Sequence, residues 1–163
     1  MRRRVVVLLL AQMALLTLRP ANTAAQQVTL SVTGASTLMQ NATLADYANG
    51  YIVDATPVNY SVSLSGSNSV CATVYLAGAT NAAADNGLGD VNWGTNATNQ
   101  NAPLSTAAAA VASHFLTTSS RTATGTIYFR TSLAWADGPQ TYLGPSLTFS
   151  VTGRRVNSQN QCT

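Results

Sequence analysis

Two runs of strict alternation, Val58-Asn-Tyr-Ser-Val-Ser-Leu64 and Val70-Cys-Ala-Thr-Val-Tyr-Leu76, stand on either side of a Ser65-Gly-Ser-Asn-Ser69 break. A period of two belongs to a strand buried on one face, and a helix cannot satisfy it. In the first run Val58, Tyr60, Val62 and Leu64 share a face, against Asn59, Ser61 and Ser63. In the second, Val70, Ala72, Val74 and Leu76 share a face, against Cys71, Thr73 and Tyr75. Ser, Gly and Asn between them are turn formers, so the two runs are predicted to pair as a hairpin.

The same pattern recurs along the chain. Val28–Val32 alternates, Tyr51–Ala55 and Asp90–Trp93 are short strand candidates, and Val111–Leu116 reads as extended. Ile127, Phe129, Leu133 and Trp135 share parity, opposed by Tyr128 and Arg130, and Leu147, Phe149 and Val151 share the inner face of a last strand. Gly125–Gly153 therefore reads as a closing hairpin around Asp137-Gly-Pro139. Asp46–Gly50 reads as a turn, and Gly78–Gly89, Gly94–Pro103 and Thr117–Thr124 read as loops. The chain has no Lys and no Glu, both good helix formers, and is rich in Thr, Ser, Asn and Ala. The expectation is an all-β domain of about seven to eight antiparallel strands, a sandwich or a barrel.

The N-terminus differs from the rest. Arg2, Arg3 and Arg4 precede an apolar run from Val5 to Leu18, broken at Arg19-Pro20 and followed by small residues through Ala25. This is the layout of a secretory signal peptide over residues 1–25, and the run is short of the ~20 apolar residues of a membrane span. Its removal takes four of the eight basic residues. The remaining Arg121, Arg130, Arg154 and Arg155 face five Asp, so the basic balance belongs to the precursor. The mature chain offers no electrostatic footprint for nucleic acid or an anionic membrane.

Cys71 and Cys162 are the only cysteines. In an exported chain an even pair points to a disulfide, with two free thiols or an intermolecular bridge as rival readings. An intramolecular bond would close a loop of roughly 90 residues and contribute ~4–5 kcal/mol in the chain-entropy picture.

Catalytic chemistry finds little support. There is one histidine, His114, no Glu and no Gly-x-Ser-x-Gly elbow. One His and two Cys do not make a zinc site. The Asp85-Asn-Gly-Leu-Gly-Asp90 loop clusters oxygen ligands that calcium accepts, but it lacks EF-hand spacing and reads first as a simple turn. No catalytic residue, cofactor or metal ligand is assigned. Parity puts Trp93, Trp135 and Tyr60 in the core and leaves Tyr75, Tyr128 and Arg130 outward, where they form the candidate surface for a glycan or protein ligand.

Val58–Gly66, Gly125-Thr-Ile-Tyr-Phe-Arg130 and Pro139–Val151 resemble three segments of secreted bacterial Ig-like sandwiches. The spore coat protein U family and its fimbrial pilin relatives show a similar order of a T-V-x-L strand, a Y-x-R strand and a final P-G-x-Y…T-V-x-V strand. The resemblance implies an Ig-like Greek-key β-sandwich over 26–153, with residues 154–163 as a polar tail. It also implies an exported, non-catalytic structural or cell-surface role, with self or other surface subunits as partners; a glycan- or protein-binding module is the alternative, and an uncharacterised hydrolase a more distant one. Because Cys71 points outward, the Cys162 tail is expected to strap the outer face of the sheet. The partner edge is then expected at Val28, Leu30 and Val32.

Overall fold

The inward residues of the two alternating runs are buried as their parity predicts. In a computed structural model of the chain, which describes residues 28–34, 42–54, 56–79, 90–137, 145–156 and 162, Val58, Val62, Val70, Ala72 and Val74 are sealed from solvent, and Tyr60, Leu64 and Leu76 nearly so. The predicted signal peptide and most of the Asp85–Asp90 loop lie outside the described residues.

Nine strands are described, β1 (Val28–Thr33), β2 (Tyr51–Val53), β3 (Val58–Leu64), β4 (Val70–Ala79), β5 (Val91–Gly94), β6 (Ala102–Pro103), β7 (Ala109–Leu116), β8 (Thr122–Ser132) and β9 (Ser146–Arg155), with one short helix, α1 (Leu44–Asn49). All pairings are antiparallel. One sheet runs β1-β3-β8-β5-β6, with β2 also on β8, and the other runs β7-β4-β9. The fold is an all-β sandwich, its core formed by the inward faces of β3, β4, β5 and β8.

Two hairpin expectations are corrected. β3 pairs with β1 and β8, whereas β4 pairs with β7 and β9, so Ser65–Ser69 carries the chain from one sheet to the other. β8 and β9 likewise lie in different sheets, so Gly125–Gly153 closes the domain by crossing it. In both places the inward faces meet across the core instead of lying side by side. Period-two patterning sets which face is buried but is silent on the neighbour.

β8 organises its sheet because it is the longest strand and changes partners along its length. Thr122–Ile127 pairs with β3, and Arg130–Ser132 pairs with β2. β2 and β3 are one strand interrupted: Val53 opposes Arg130 and Val58 opposes Ile127, so this side carries two extra residues. Asp54 holds the bulge, its Oδ1 accepting from Thr56 N at 3.0 Å and Thr56 Oγ1 at 3.1 Å.

The stretch read as a turn at Asp46–Gly50 is α1. Thr43 caps it, accepting from Asp46 N while the Asp46 carboxylate accepts from Thr43 N at 2.7 Å. The Thr43 hydroxyl, donating to the same carboxylate at 2.6 Å, and then the Thr43 N–H hold the Asp46 carboxyl below its ordinary value. Gly50 closes the helix in the left-handed conformation. β9 also continues to Arg155, two residues into the expected tail.

Candidate binding surface

The sequence-predicted residues do not converge. Tyr128 and Arg130 are half-exposed on the outer face of β8, and Tyr75 is half-exposed on the outer face of β4 in the other sheet. These two faces look in opposite directions, so the three residues make no common platform. Arg130 is occupied locally: its guanidinium lies over the Tyr51 ring, 5.0 Å from the centroid, and Nη2 donates to Asn101 Oδ1 at 3.5 Å.

Cys71 and Cys162 are bonded to each other, with Cα atoms 5.3 Å apart. Cys71 has the outward parity expected of it, yet it is buried beneath its partner. The bond ties residue 162 to the outer face of β4, the central strand of the smaller sheet.

Val28, Leu30 and Val32 lie on β1, at the edge of the larger sheet. Their side chains turn toward the core but remain only half-buried, as do Leu147, Phe149 and Val151 on β9, an edge of the smaller sheet. The two edges approach at one corner, where Val28 and Val70 sit over the bare Gly153: a Cβ there would meet Val28 Cγ2 at 2.8 Å. All six apolar side chains pack against the core yet stay partly exposed along these two edges.

His114 faces inward from β7. Its Nε2 is 3.0 Å from Tyr60 Oη, joining the two sheets through the core margin. The Tyr60 ring reaches it by lying across Gly125, its register partner on β8, where a Cβ would overlap the phenol, with Cε1 at 2.6 Å. Burial pushes the Tyr60 hydroxyl above its ordinary value. Among the described residues, no three His, Cys, Asp or Glu side chains come together as a metal site.

Trp135 is the main feature that parity misplaces. Expected in the core, it is 69% exposed. β8 ends at Ser132, Leu133 keeps the inward parity, and a single 3₁₀ turn, Trp135–Asp137, then rotates the indole out. The turn is pinned by Asp137 Oδ2, which accepts from Ala134 N at 2.5 Å, and by Asp137 N donating to Ala134 O at 3.0 Å. The indole stacks on Tyr47, centroids 5.4 Å apart and planes 23° from parallel. Tyr47 is itself buried against Ile52 and Leu133, a small cluster apart from the main core. Beside the turn, Asp90, Ser132, Leu133, Ala134 and Asp137 line a cavity of about 210 Å³. The signal available in the sequence was the Asp137-Gly-Pro139 turn directly after Trp135, which ends the parity that the core reading extends through the indole.

Buried polar groups mark one more place. Asp54 is 4% exposed and Thr131 fully enclosed, on the same inward face where β2 meets β8, and Asp54 Oδ2 and Thr131 Oγ1 have no hydrogen-bond partner among the described residues. Desolvation raises the Asp54 carboxyl above its ordinary value, against the opposing bonds from Thr56.

Comparison of the chain with protein-family profiles, curated proteins and solved structures finds no match.

Proposed function

We propose that the protein is an exported, non-catalytic β-sandwich that serves as a structural or cell-surface component, a subunit of an extracellular assembly that contacts its neighbours through β1. The observation that carries this reading is the place of β1 at the edge of the larger sheet, with its inward residues only half-buried. An edge strand presents unpaired backbone donors and acceptors, and proteins that do not use such an edge blunt it with charge, proline or a covering segment. β1 (Val28-Thr-Leu-Ser-Val-Thr33) contains neither charge nor proline, and its inward residues are only half-covered. A strand added there would extend the ladder and bury Leu30 and Val32 at once. The signal-like N-terminus and the Cys71–Cys162 bond support an oxidising, extracytoplasmic compartment.

Sedimentation and light scattering across a wide concentration range test the reading. The mature chain should self-associate or capture a co-secreted subunit, and the pair Thr29→Lys and Ser31→Lys should abolish association while leaving the melting curve intact. A protein that stays monomeric and captures no co-secreted subunit, with or without the charged edge, rules the reading out.

A further inference from the structure

The geometry points to a second contact surface, independent of β1: Trp135 stacked on Tyr47 is a platform for one sugar ring of a neutral glycan. Three features make the indole a built surface. The 3₁₀ turn that presents it is held at both ends by Asp137. Tyr47 backs one face of the ring and is fixed by Ile52, Leu133 and the capped helix α1. The opposite face is open, which accounts for an exposure unusual in so large an apolar side chain. A ring held in advance loses little freedom on binding.

The surroundings select the ligand. The cavity beside the turn offers Asp90 and Ser132, groups that hydrogen-bond hydroxyls. An apolar plane next to short oxygen-bearing side chains complements a pyranose, which has an apolar face and a rim of hydroxyls. A nucleobase would also stack, but its phosphates would meet the carboxylates of Asp90 and Asp137, and the neighbouring cation, Arg130, two residues before Ser132 on β8, is already engaged with Tyr51 and Asn101. A quaternary ammonium needs rings that enclose it, whereas these two lie 23° from parallel and offer one flat face. A protein partner needs about 1,200–2,000 Å² of total buried surface, far more than one indole supplies.

The test is a fluorescence titration of the purified, disulfide-bonded protein with cello-, chito-, manno- and xylo-oligosaccharides. The chain has two tryptophans, and Trp93 is buried, so acrylamide quenching reports mainly on Trp135. At least one oligosaccharide should bind and shield the accessible tryptophan. Variants at this position lack the reporting indole, so their binding is measured by isothermal titration calorimetry alongside the parent. Trp135→Ala should weaken binding about tenfold or more, the order of a central aromatic contact. Trp135→Tyr, which keeps a stacking ring, should restore part of it. Both variants should stay folded, with melts no more than a few degrees below the parent for the lost or altered stack on Tyr47, and self-association through β1 should be unchanged. No binding by any of the four series at millimolar concentration overturns the assignment, as does unaltered affinity in Trp135→Ala. Shielding by choline with none by sugars overturns it too.

Discussion

A methyl group added to Gly125 tests how the two sheets are held together. Gly125 sits opposite Tyr60 in the β3–β8 register, and the Tyr60 ring occupies the space where a Cβ would be. The obstacle is the rigid ring of a buried residue. In Gly125→Ala the ring must swing off β8, and its hydroxyl then leaves His114 Nε2. Overpacking of this kind costs about 1–3 kcal/mol. The displaced, still-buried hydroxyl adds about 1–3 kcal/mol. The lower chain entropy of Ala in the unfolded state offsets about 0.4–1 kcal/mol. The net expectation is a loss of about 2–4 kcal/mol, or a Tm lower by about 10 °C for a domain of this size. Urea melts and calorimetry measure it. Two controls separate the terms. Tyr60→Phe should cost only about 1 kcal/mol, since it removes the hydroxyl and keeps the ring. In a Tyr60→Ala background, Gly125→Ala should cost nothing or stabilise, because the obstacle is gone. A neutral Gly125→Ala in the parent, or an equal cost in both backgrounds, would show that the ring does not lean on this glycine.

Further expectations concern the buried polar groups, the disulfide and the helix. An acid whose folded value is raised contributes most to stability below its ordinary value, and that contribution is lost as pH rises through the ordinary value to the raised one. Asp54→Asn should therefore be more stable than the parent near pH 7, with the difference gone by about pH 3, read from urea midpoints across pH. Thr131→Val replaces an enclosed, unpartnered hydroxyl by a group of similar shape and should stabilise by about 1 kcal/mol; a destabilised variant would mean that the hydroxyl has a partner. Replacing both Cys71 and Cys162 by Ala should cost up to about 4–5 kcal/mol for a loop of this length, measured by denaturant unfolding. Thr43→Ala should remove about 1 kcal/mol through the lost cap and raise acrylamide quenching of Trp135 by loosening its backing.

Strand faces were legible in the sequence because burial is a local property of an alternating run. Val58, Tyr60, Val62, Leu64, Ile127 and Phe129 are all inward as parity requires. Partners were not legible: Ser65–Ser69 has the same turn chemistry whether the chain folds back beside itself or steps across a core. Trp135 failed for a related reason. Parity holds only while the chain stays in a sheet, and a 3₁₀ turn begins two residues past Leu133. α1 was concealed by its length, since six residues give too little periodicity, although Thr43 with Asp46 and the closing Gly50 formed a readable pair of caps. The outward tyrosines were placed correctly on their strands. That they look away from each other is a consequence of the two-sheet assignment, which no single strand encodes.

The β7-β4-β9 sheet also dictates an order of events. Its middle strand ends at Ala79, but one of its two neighbours is Ser146–Arg155, and the covalent lock on that strand is residue 162. Pairings between residues so far apart bring their reward only after the cost of closing long loops has been met, which makes folding slow. The smaller sheet therefore stays incomplete, with β4 paired to β7 alone, while the last strand is missing. Until then β4 remains an apolar strand with an open flank, and the chain needs protection from its own kind over that interval.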